Sequence, residues 1–183
     1  PGSSEAYFFA NGDEHKADGT LDESEAAGEM YAKRCRKIEL IKQHTPEPGV
    51  WGWNNKSAVV EALTPALSPR ERETSAAAGA AISFIGWGST KNTLRDIIAI
   101  YAARGITVNY LHFSYLWPLQ TETLEKFFAD NKNVHLLEGN HDGQLGGLIE
   151  KHTDLKFAGK LLKWNGRPFF VEDVQEYIDE NLK

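Results

Sequence analysis

From Thr90 to Ala103 the apolar residues Leu94, Ile97, Ile98, Tyr101 and Ala102 recur three and four positions apart, which gathers them on one side of a helix. A short apolar run, Ala81 to Ile85, precedes this helix and ends at Gly86. After it, Gly105 stops the helix before the alternating, β-branched run Ile106 to Phe113. The pattern predicts a strand, a helix and a second strand. Pro118 then opens another helical segment with Leu124, Phe127 and Phe128 in one stripe, and Val134 to Leu137 forms the next apolar run. A third helix is predicted from near Asp142 with Leu145, Leu148 and Ile149 inward, then a strand over Leu161 to Trp164. A last helix is predicted from Val171 to Asn181 with Val174, Tyr177 and Ile178 inward. Strands alternating with helices through short connections predict an α/β fold, an open, mostly parallel sheet with helices on both faces, over residues 81–183.

The front of the chain is patterned differently. An apolar entry, Ala6 to Ala10, meets a polar loop, Asn11 to Thr20, and a charged helix from about Glu23 to Lys42 whose main apolar points are Met30, Ile38 and Ile41. Residues 1–44 are too few to bury enough surface against their own ordering entropy, so this helix is expected to pack on a neighbour. Residues 45–80 are rich in proline, alanine and small polar residues and show no sustained period, which predicts a linker. Its centre, Ala62 to Glu73, resembles the translated inverted-repeat sequence that recurs in bacterial genomes, and so reads as an insertion. Trp51 and Trp53 stand apart within it, and are expected to fold back onto the domain.

Composition narrows the partners. The 183 residues are 41% hydrophobic and 25% charged, and 20 Lys and Arg against 26 Asp and Glu give a net charge of −6, which repels a phosphate backbone. Nucleic acid is not expected as a partner. Cys35 is the only cysteine, so no internal disulfide forms, and a reducing, cytoplasmic setting is expected. No stretch approaches the roughly 20 apolar residues of a membrane span, and the start, Pro1-Gly2-Ser3-Ser4, reads as that of a soluble piece cut from something longer.

Two polar loops draw the chemistry. Gly86-Trp87-Gly88-Ser89-Thr90 follows a strand and opens a helix, which leaves backbone N–H groups and hydroxyls where an anion could sit. The loop lacks the third glycine of the dinucleotide fingerprint and the Gly-Lys-Ser/Thr of a P-loop. Its structural role would be a tight turn with Ser89 or Thr90 as helix cap, and Lys91 opposes the helix dipole unless it meets a negative ligand or a partner. Glu138-Gly139-Asn140-His141-Asp142-Gly143-Gln144 also follows a strand and precedes a helix, so both loops fall at the carboxyl edge of the sheet and face one crevice. Glu138, His141 and Asp142 invite an acid/base or metal reading, but adjacent residues point apart and metal-ligand spacing is missing. Asn140 and Gln144 suit hydrogen bonds to a ligand or an interface, Asp142 suits an N-cap, and Arg167 suits a carboxylate, a phosphate or a structural salt bridge. In Gly12-Asp13-Glu14-His15-Lys16-Ala17-Asp18-Gly19 a solvated turn accounts for the composition. No serine, cysteine or lysine nucleophile has recognisable partners.

Taken in order, these motifs resemble the carboxyl-terminal portion of the alpha subunit of 2-oxoacid:acceptor (ferredoxin or flavodoxin) oxidoreductases. Gly12-Asp13-Glu14-His15 with Gly19, then Met30 and Lys33-Arg34-Cys35-Arg36-Lys37, resemble the loop and helix that close that family's pyrimidine-binding domain. Gly86 to Thr90 resembles the opening of its next domain and Leu116-Trp117-Pro118-Leu119 the apolar turn within it. Glu138-Gly139-Asn140 with Gly143-Gln144-Leu145 resembles its Glu-x-Asn-x-x-Gly-Gln-Leu loop, and Asn165-Gly166-Arg167-Pro168-Phe169 its Gly-Arg-Pro-Phe. The resemblance implies a transketolase carboxyl-terminal-like domain over 81–183, with 1–44 a remnant of the pyrimidine-binding domain. It implies a complex that decarboxylates a 2-oxoacid on thiamine diphosphate and Mg²⁺, passes electrons through iron-sulfur clusters to ferredoxin or flavodoxin, and releases an acyl-coenzyme A. The diphosphate would be held by a beta subunit. No catalytic residue, metal or cofactor is then expected in this chain. Gly88, Ser89, Thr90, Asn140 and Gln144 would be hydrogen-bonding contacts to ligand or interface, and the role would be assembly and shaping of the site. A stand-alone flavodoxin-like phosphate- or nucleotide-binding module, or a purely structural interface domain, is the alternative.

Overall fold

The computed structural model describes residues 25–52 and 79–182. The loop from Gly12 to Gly19, the apolar entry at Ala6, Trp53 and the Ala62–Glu73 stretch lie outside them. The chain divides into two units, Pro1–Thr45 and Pro46–Lys183. The first contributes helix α1 (Glu25–His44), which leaves Tyr31, Leu40 and Ile41 exposed.

The second unit runs β1 (Gly49–Trp51), β2 (Ile82–Trp87), α2 (Thr90–Ala103), β3 (Val108–Phe113), α3 (Thr121–Asp130), β4 (Val134–Glu138), α4 (Gln144–His152), β5 (Gly159–Leu162) and α5 (Val171–Asn181). The strands make one sheet in the order β1-β3-β2-β4-β5, in which β1 alone is antiparallel. The expected mostly parallel α/β sheet is therefore present. Its first strand was not expected: Gly49–Trp51 lies in the stretch read as linker, and it pairs with β3 through Gly49 opposite His112 and Trp51 opposite Tyr110.

Connection order sets the two faces. The chain steps from β2 to β3 through α2, then crosses back over β2 to β4 through α3, so helices fall on both sides of the sheet. On one side Leu94, Ile97 and Tyr101 of α2 and Val174 and Ile178 of α5 pack on Ile82, Phe84, Val108, Tyr110 and Leu137. On the other, Leu124 and Phe127 of α3 and Leu145 and Ile149 of α4 pack on Ile85, Leu111, Phe113 and Val134. Period-2 alternation along each strand sends its side chains to the two cores in turn.

β2, β3 and β4 are covered on both faces, which is why they read as apolar runs. The polar members of β3 are buried with them. Asn109 donates to Asn131 Oδ1 at 2.8 Å, which also accepts from Ser83 Oγ at 3.0 Å, while Asn131 donates to the Phe127 carbonyl at 2.8 Å. Gly105 (φ 76°) ends α2 as expected, its N–H donating to the Ala102 carbonyl at 2.9 Å.

Gly86 is required for a different reason. A Cβ there would stand 2.8 Å from the Leu137 carbonyl oxygen and 3.0 Å from Thr90 Oγ1, so β2 and β4 meet closely at the point where the crevice opens. Gly86→Ala is expected to lower unfolding free energy by about 1–3 kcal/mol, read as a lower urea midpoint at unchanged slope.

Candidate functional site: the carboxyl-edge crevice

Parallel sheets of this kind open a crevice where neighbouring strands send their connections to opposite sides. Here that point lies between β2 and β4, and the two loops that follow them are the two that the sequence brings forward. Their geometry centres on Glu138, the last residue of β4, which is fully buried. Its carboxylate accepts from Trp87 Nε1 at 3.0 Å, from Asn140 Nδ2 at 2.7 Å, and from the Leu145 N–H at 3.0 Å to both oxygens. Among the described residues no lysine or arginine pairs with it. The charge is met by N–H donors, one of them at the N-terminal turn of α4 where the helix dipole favours an anion. One buried carboxylate thus ties the β2 loop, through the Trp87 indole, to the β4 loop and to α4.

Asn140 completes the loop. Its Oδ1 accepts from the Gly143 N–H at 2.7 Å and, more loosely, from the Gln144 N–H at 3.4 Å. Both ends of its amide are used inside the turn. The expected N-cap at Asp142 is corrected: the cap position is Gly143, held at φ 64°, and the orphan N–H groups of α4 are met by Asn140 and Glu138. Asp142 instead pairs with His141 Nδ1 at 2.7 Å on the surface, so Glu138, His141 and Asp142 do not converge. Gln144 is exposed.

Across the crevice Gly88 (φ 61°) and Ser89 are exposed at the start of α2. Ser89 occupies the cap position in a helical conformation and makes no side-chain cap bond, which corrects the capping expectation. Thr90 is buried, and its hydroxyl donates to the Trp87 carbonyl at 2.8 Å and contacts Tyr110 OH at 2.8 Å. Tyr110 OH in turn lies 2.7 Å from His112 Nδ1. Trp51 folds back over this pair, with ring centroids 6.0 Å from Tyr110 and 5.9 Å from His112, and Lys91 Nζ sits 4.9 Å above its ring. The cation that opposes the α2 dipole is met by an aromatic face. Burial, and secondarily Lys91, lowers the His112 pKa to about 4, so the imidazole is neutral at physiological pH; burial pushes the Tyr110 hydroxyl up.

The rim is aromatic. Among the described residues of the second unit the exposed large apolar side chains are Trp87 at 37%, Tyr115 at 53%, Trp117 at 52%, Trp164 at 62% and Phe170 at 49%. Trp87 ends β2, Tyr115 and Trp117 follow β3, and Trp164 and Phe170 lie between β5 and α5, so all belong to carboxyl-edge connections. Trp164 meets His141 edge to face at 4.8 Å, joining the β5 connection to the β4 loop. Arg167 in the same connection is exposed and makes no ion pair among the described residues.

Sequence reasoning brought the two loops together but missed the roles of Glu138, Trp87, Tyr110 and His112. A signal existed for the last two, since positions 110 and 112 share a strand face with the end of the preceding strand. Among the described residues no group of three His, Cys, Asp or Glu side chains could hold a metal ion, and no helix is long and apolar enough to cross a membrane.

No family model matches the chain. Its sequence is similar to the alpha subunit of 2-oxoacid:ferredoxin oxidoreductase 1 of Sulfurisphaera tokodaii, 24% identical over 182 residues that make 97% of this chain and 25% of that protein. The corresponding subunit of Aeropyrum pernix is 28% identical over 179 residues, 94% of this chain and 24% of the relative. Among solved structures, the 2-oxoglutarate:ferredoxin oxidoreductase of Magnetococcus marinus, with 2-oxoglutarate, coenzyme A and succinyl-CoA bound, superposes with a TM-score of 0.71 at 24% identity, covering 100% of this chain and 28% of that one. The resemblance read from the motifs is thus to alpha subunits over nearly the whole of this chain, which spans about a quarter of the length of these relatives.

Proposed function

We propose that this chain is a portion of the alpha subunit of a thiamine-diphosphate-dependent 2-oxoacid:ferredoxin oxidoreductase, and that its α/β unit assembles the complex and shapes the reacting site without supplying reactive groups. The observation that carries the reading is similarity to alpha subunits over 97% of the chain. The crevice agrees with it. Glu138 and Asn140 spend their polar atoms on each other, on Trp87 and on α4, which is the bonding of groups that hold loops in place. Iron-sulfur ligation requires several thiolates and the sequence has one cysteine, so the clusters of such a complex fall to other polypeptide. The oxidation of a 2-oxoacid to an acyl-coenzyme A, with ferredoxin or flavodoxin accepting electrons, belongs to the assembled enzyme in a cytoplasmic setting.

On this reading the aromatic rim is the face that meets the thiamine-diphosphate-binding beta subunit, because its exposed tryptophans and Tyr115, gathered at one edge, are of the residue types that dominate interface energetics. Gly88, Ser89 and Gln144 are the contacts of that face or of an approaching ligand, while Thr90 and Asn140 hold the loops beneath it. The test is co-purification with the beta subunit, and 2-oxoacid-dependent reduction of an artificial acceptor only when the remainder of an alpha subunit is supplied. Turnover by the chain unaided would overturn it. Trp164→Ser with Trp117→Ser is expected to weaken that association about tenfold or more while the far-UV circular dichroism is unchanged.

The exposed Gly88 and Ser89 at the α2 N-terminus favour a second reading, a stand-alone phosphate- or nucleotide-binding module. It requires that the monomer bind a flavin or nucleotide tightly, and that changing Ser89 and Thr90 abolish the binding.

A further inference from the structure

Three buried contacts beneath the crevice share a limited supply of protons. Thr90 Oγ1 lies 2.8 Å from the Trp87 carbonyl oxygen and 2.8 Å from Tyr110 OH, and Tyr110 OH lies 2.7 Å from His112 Nδ1. Each contact is short enough to need one hydrogen between its heavy atoms. The carbonyl has none to give, so the Thr90 hydroxyl must donate to it. The Thr90–Tyr110 contact must then use the Tyr110 proton, since a hydroxyl carries only one. With that proton committed, the Tyr110–His112 contact can be closed only by a hydrogen on His112 Nδ1. One arrangement satisfies all three.

We infer that His112, Tyr110 and Thr90 form a single directed hydrogen-bond chain ending on the Trp87 carbonyl, which fixes His112 as its Nδ1–H tautomer and makes Tyr110 and His112 positioning residues for the β2–α2 loop. The chain is sheltered. Tyr110 is fully buried, His112 is 5% exposed and Thr90 is 4% exposed, with Trp51 packed over the two rings. Hydrogen bonds aligned in one sense polarise one another, so the carbonyl of Trp87 is held by the whole series. Trp87 is also the residue whose indole reaches Glu138, so the same turn is fixed from below by the chain and from across the crevice by the carboxylate. This inference rests on the contacts within the unit and is independent of the alpha-subunit reading.

The experiment is a long-range nitrogen–proton correlation spectrum of the histidine rings in the ¹⁵N-labelled chain at neutral pH, with His112 assigned through a His112→Gln comparison. The expected result is a pyrrole-type Nδ1 and a pyridine-type Nε2 for His112. Thr90→Val takes away the oxygen that receives the Tyr110 proton, so that proton turns to His112 Nδ1 and the ring switches to the Nε2–H tautomer; Thr90→Ser keeps the original one. Hydrogen exchange of the amides at 88–92 is expected to be about five- to tenfold faster in Thr90→Val than in Thr90→Ser. A wild-type His112 protonated at Nε2 overturns the inference whether or not any variant folds. Thr90→Val with an unchanged tautomer overturns the directed chain, and equal exchange in the two variants overturns the positioning role.

Discussion

Glu138→Ala is expected to lower the unfolding free energy by roughly 2–4 kcal/mol, because it leaves the buried Leu145 N–H without an acceptor and strips the cap of α4 at the same time. Leu145 is 2% exposed, so its N–H has no bulk solvent to turn to, whereas the indole N–H of Trp87 and the amide of the half-buried Asn140 can turn toward solvent. The consequence for the crevice is larger than for the fold. Without Glu138 the side-chain hydrogen bond from the β2 loop to the end of β4 is gone, and Trp87, already 37% exposed, loses its anchor. Glu138→Gln separates the two effects. The three donors all reach Oε1, so a glutamine oxygen placed there keeps them, while the charge is given up and the amide nitrogen replaces the Oε2 atom that also accepts from the Leu145 N–H. Urea midpoints should fall in the order wild type, Glu138→Gln, Glu138→Ala. Quenching of Trp87 fluorescence by acrylamide, with Trp87→Phe to identify its share, should rise in the same order. An alanine variant as stable as wild type, with unaltered quenching, would show that the carboxylate does not hold the loops.

Acidification should remove roughly 2–3 kcal/mol of stability between about pH 6.5 and pH 4 through His112 alone. The folded protein holds this imidazole neutral, with a pKa lowered to about 4 from the ordinary 6.5, because burial penalises the cation and Lys91 adds like-charge repulsion. The unfolded chain binds the proton at the ordinary value. Below pH 6.5 the unfolded state therefore holds more protons than the folded one, so stability is full above that pH, falls as pH drops, and stops falling once the folded ring also protonates. His135 adds a contribution of the same sign. Burial lowers its pKa too, and its two nitrogens are engaged by Tyr177 OH and Asn133 Oδ1, each at 2.8 Å. Asp173, lowered by its hydrogen bonds to Lys163 and to the Phe170 N–H, gives stability that is lost only as pH falls through the ordinary carboxylate range and below, so the two regimes are separable. Urea unfolding across pH 7.5 to 4 measures the slope. In His112→Phe that slope should shrink whatever the absolute stability of the variant, and an unchanged slope would assign the acid sensitivity elsewhere.

How much of this was legible beforehand differs from element to element. The α2 helix reads from Thr90 to Ala103 because its apolar residues keep helical spacing and Gly105 marks its end, both local properties of the chain. The strands β2 and β4 read as short apolar runs because both their faces are covered. β1 carries no such mark. Three residues between prolines and glycines have no period, and Gly49–Trp51 becomes a strand only because β3 offers a free edge some sixty residues along the chain. Residue type and loop position suggest Asn140 and Thr90 as hydrogen-bonding contacts to a ligand or an interface, with Thr90 also a candidate helix cap. Their side chains turn inward, to Gly143 and Glu138 in one case and to Trp87 and Tyr110 in the other. Residue type gives the capacity to hydrogen-bond, and only the three-dimensional neighbours give the partner.

By itself the order of apolar and polar residues determined the alternation of strands and helices, hence the open parallel sheet, and with it the meeting of two polar loops at one carboxyl edge. Periodicity is a local quantity, and topology follows from it through steric rules that hold for any chain of this pattern. The tertiary structure alone decided that Glu138 would be buried among N–H donors and become the tie across the crevice. It alone aligned the hydroxyls of Thr90 and Tyr110 with His112, and left Trp87, Trp117 and Trp164 exposed on a single rim. These outcomes depend on distances between residues far apart in sequence, set by the register of β2 against β3 and β4, which no local pattern encodes.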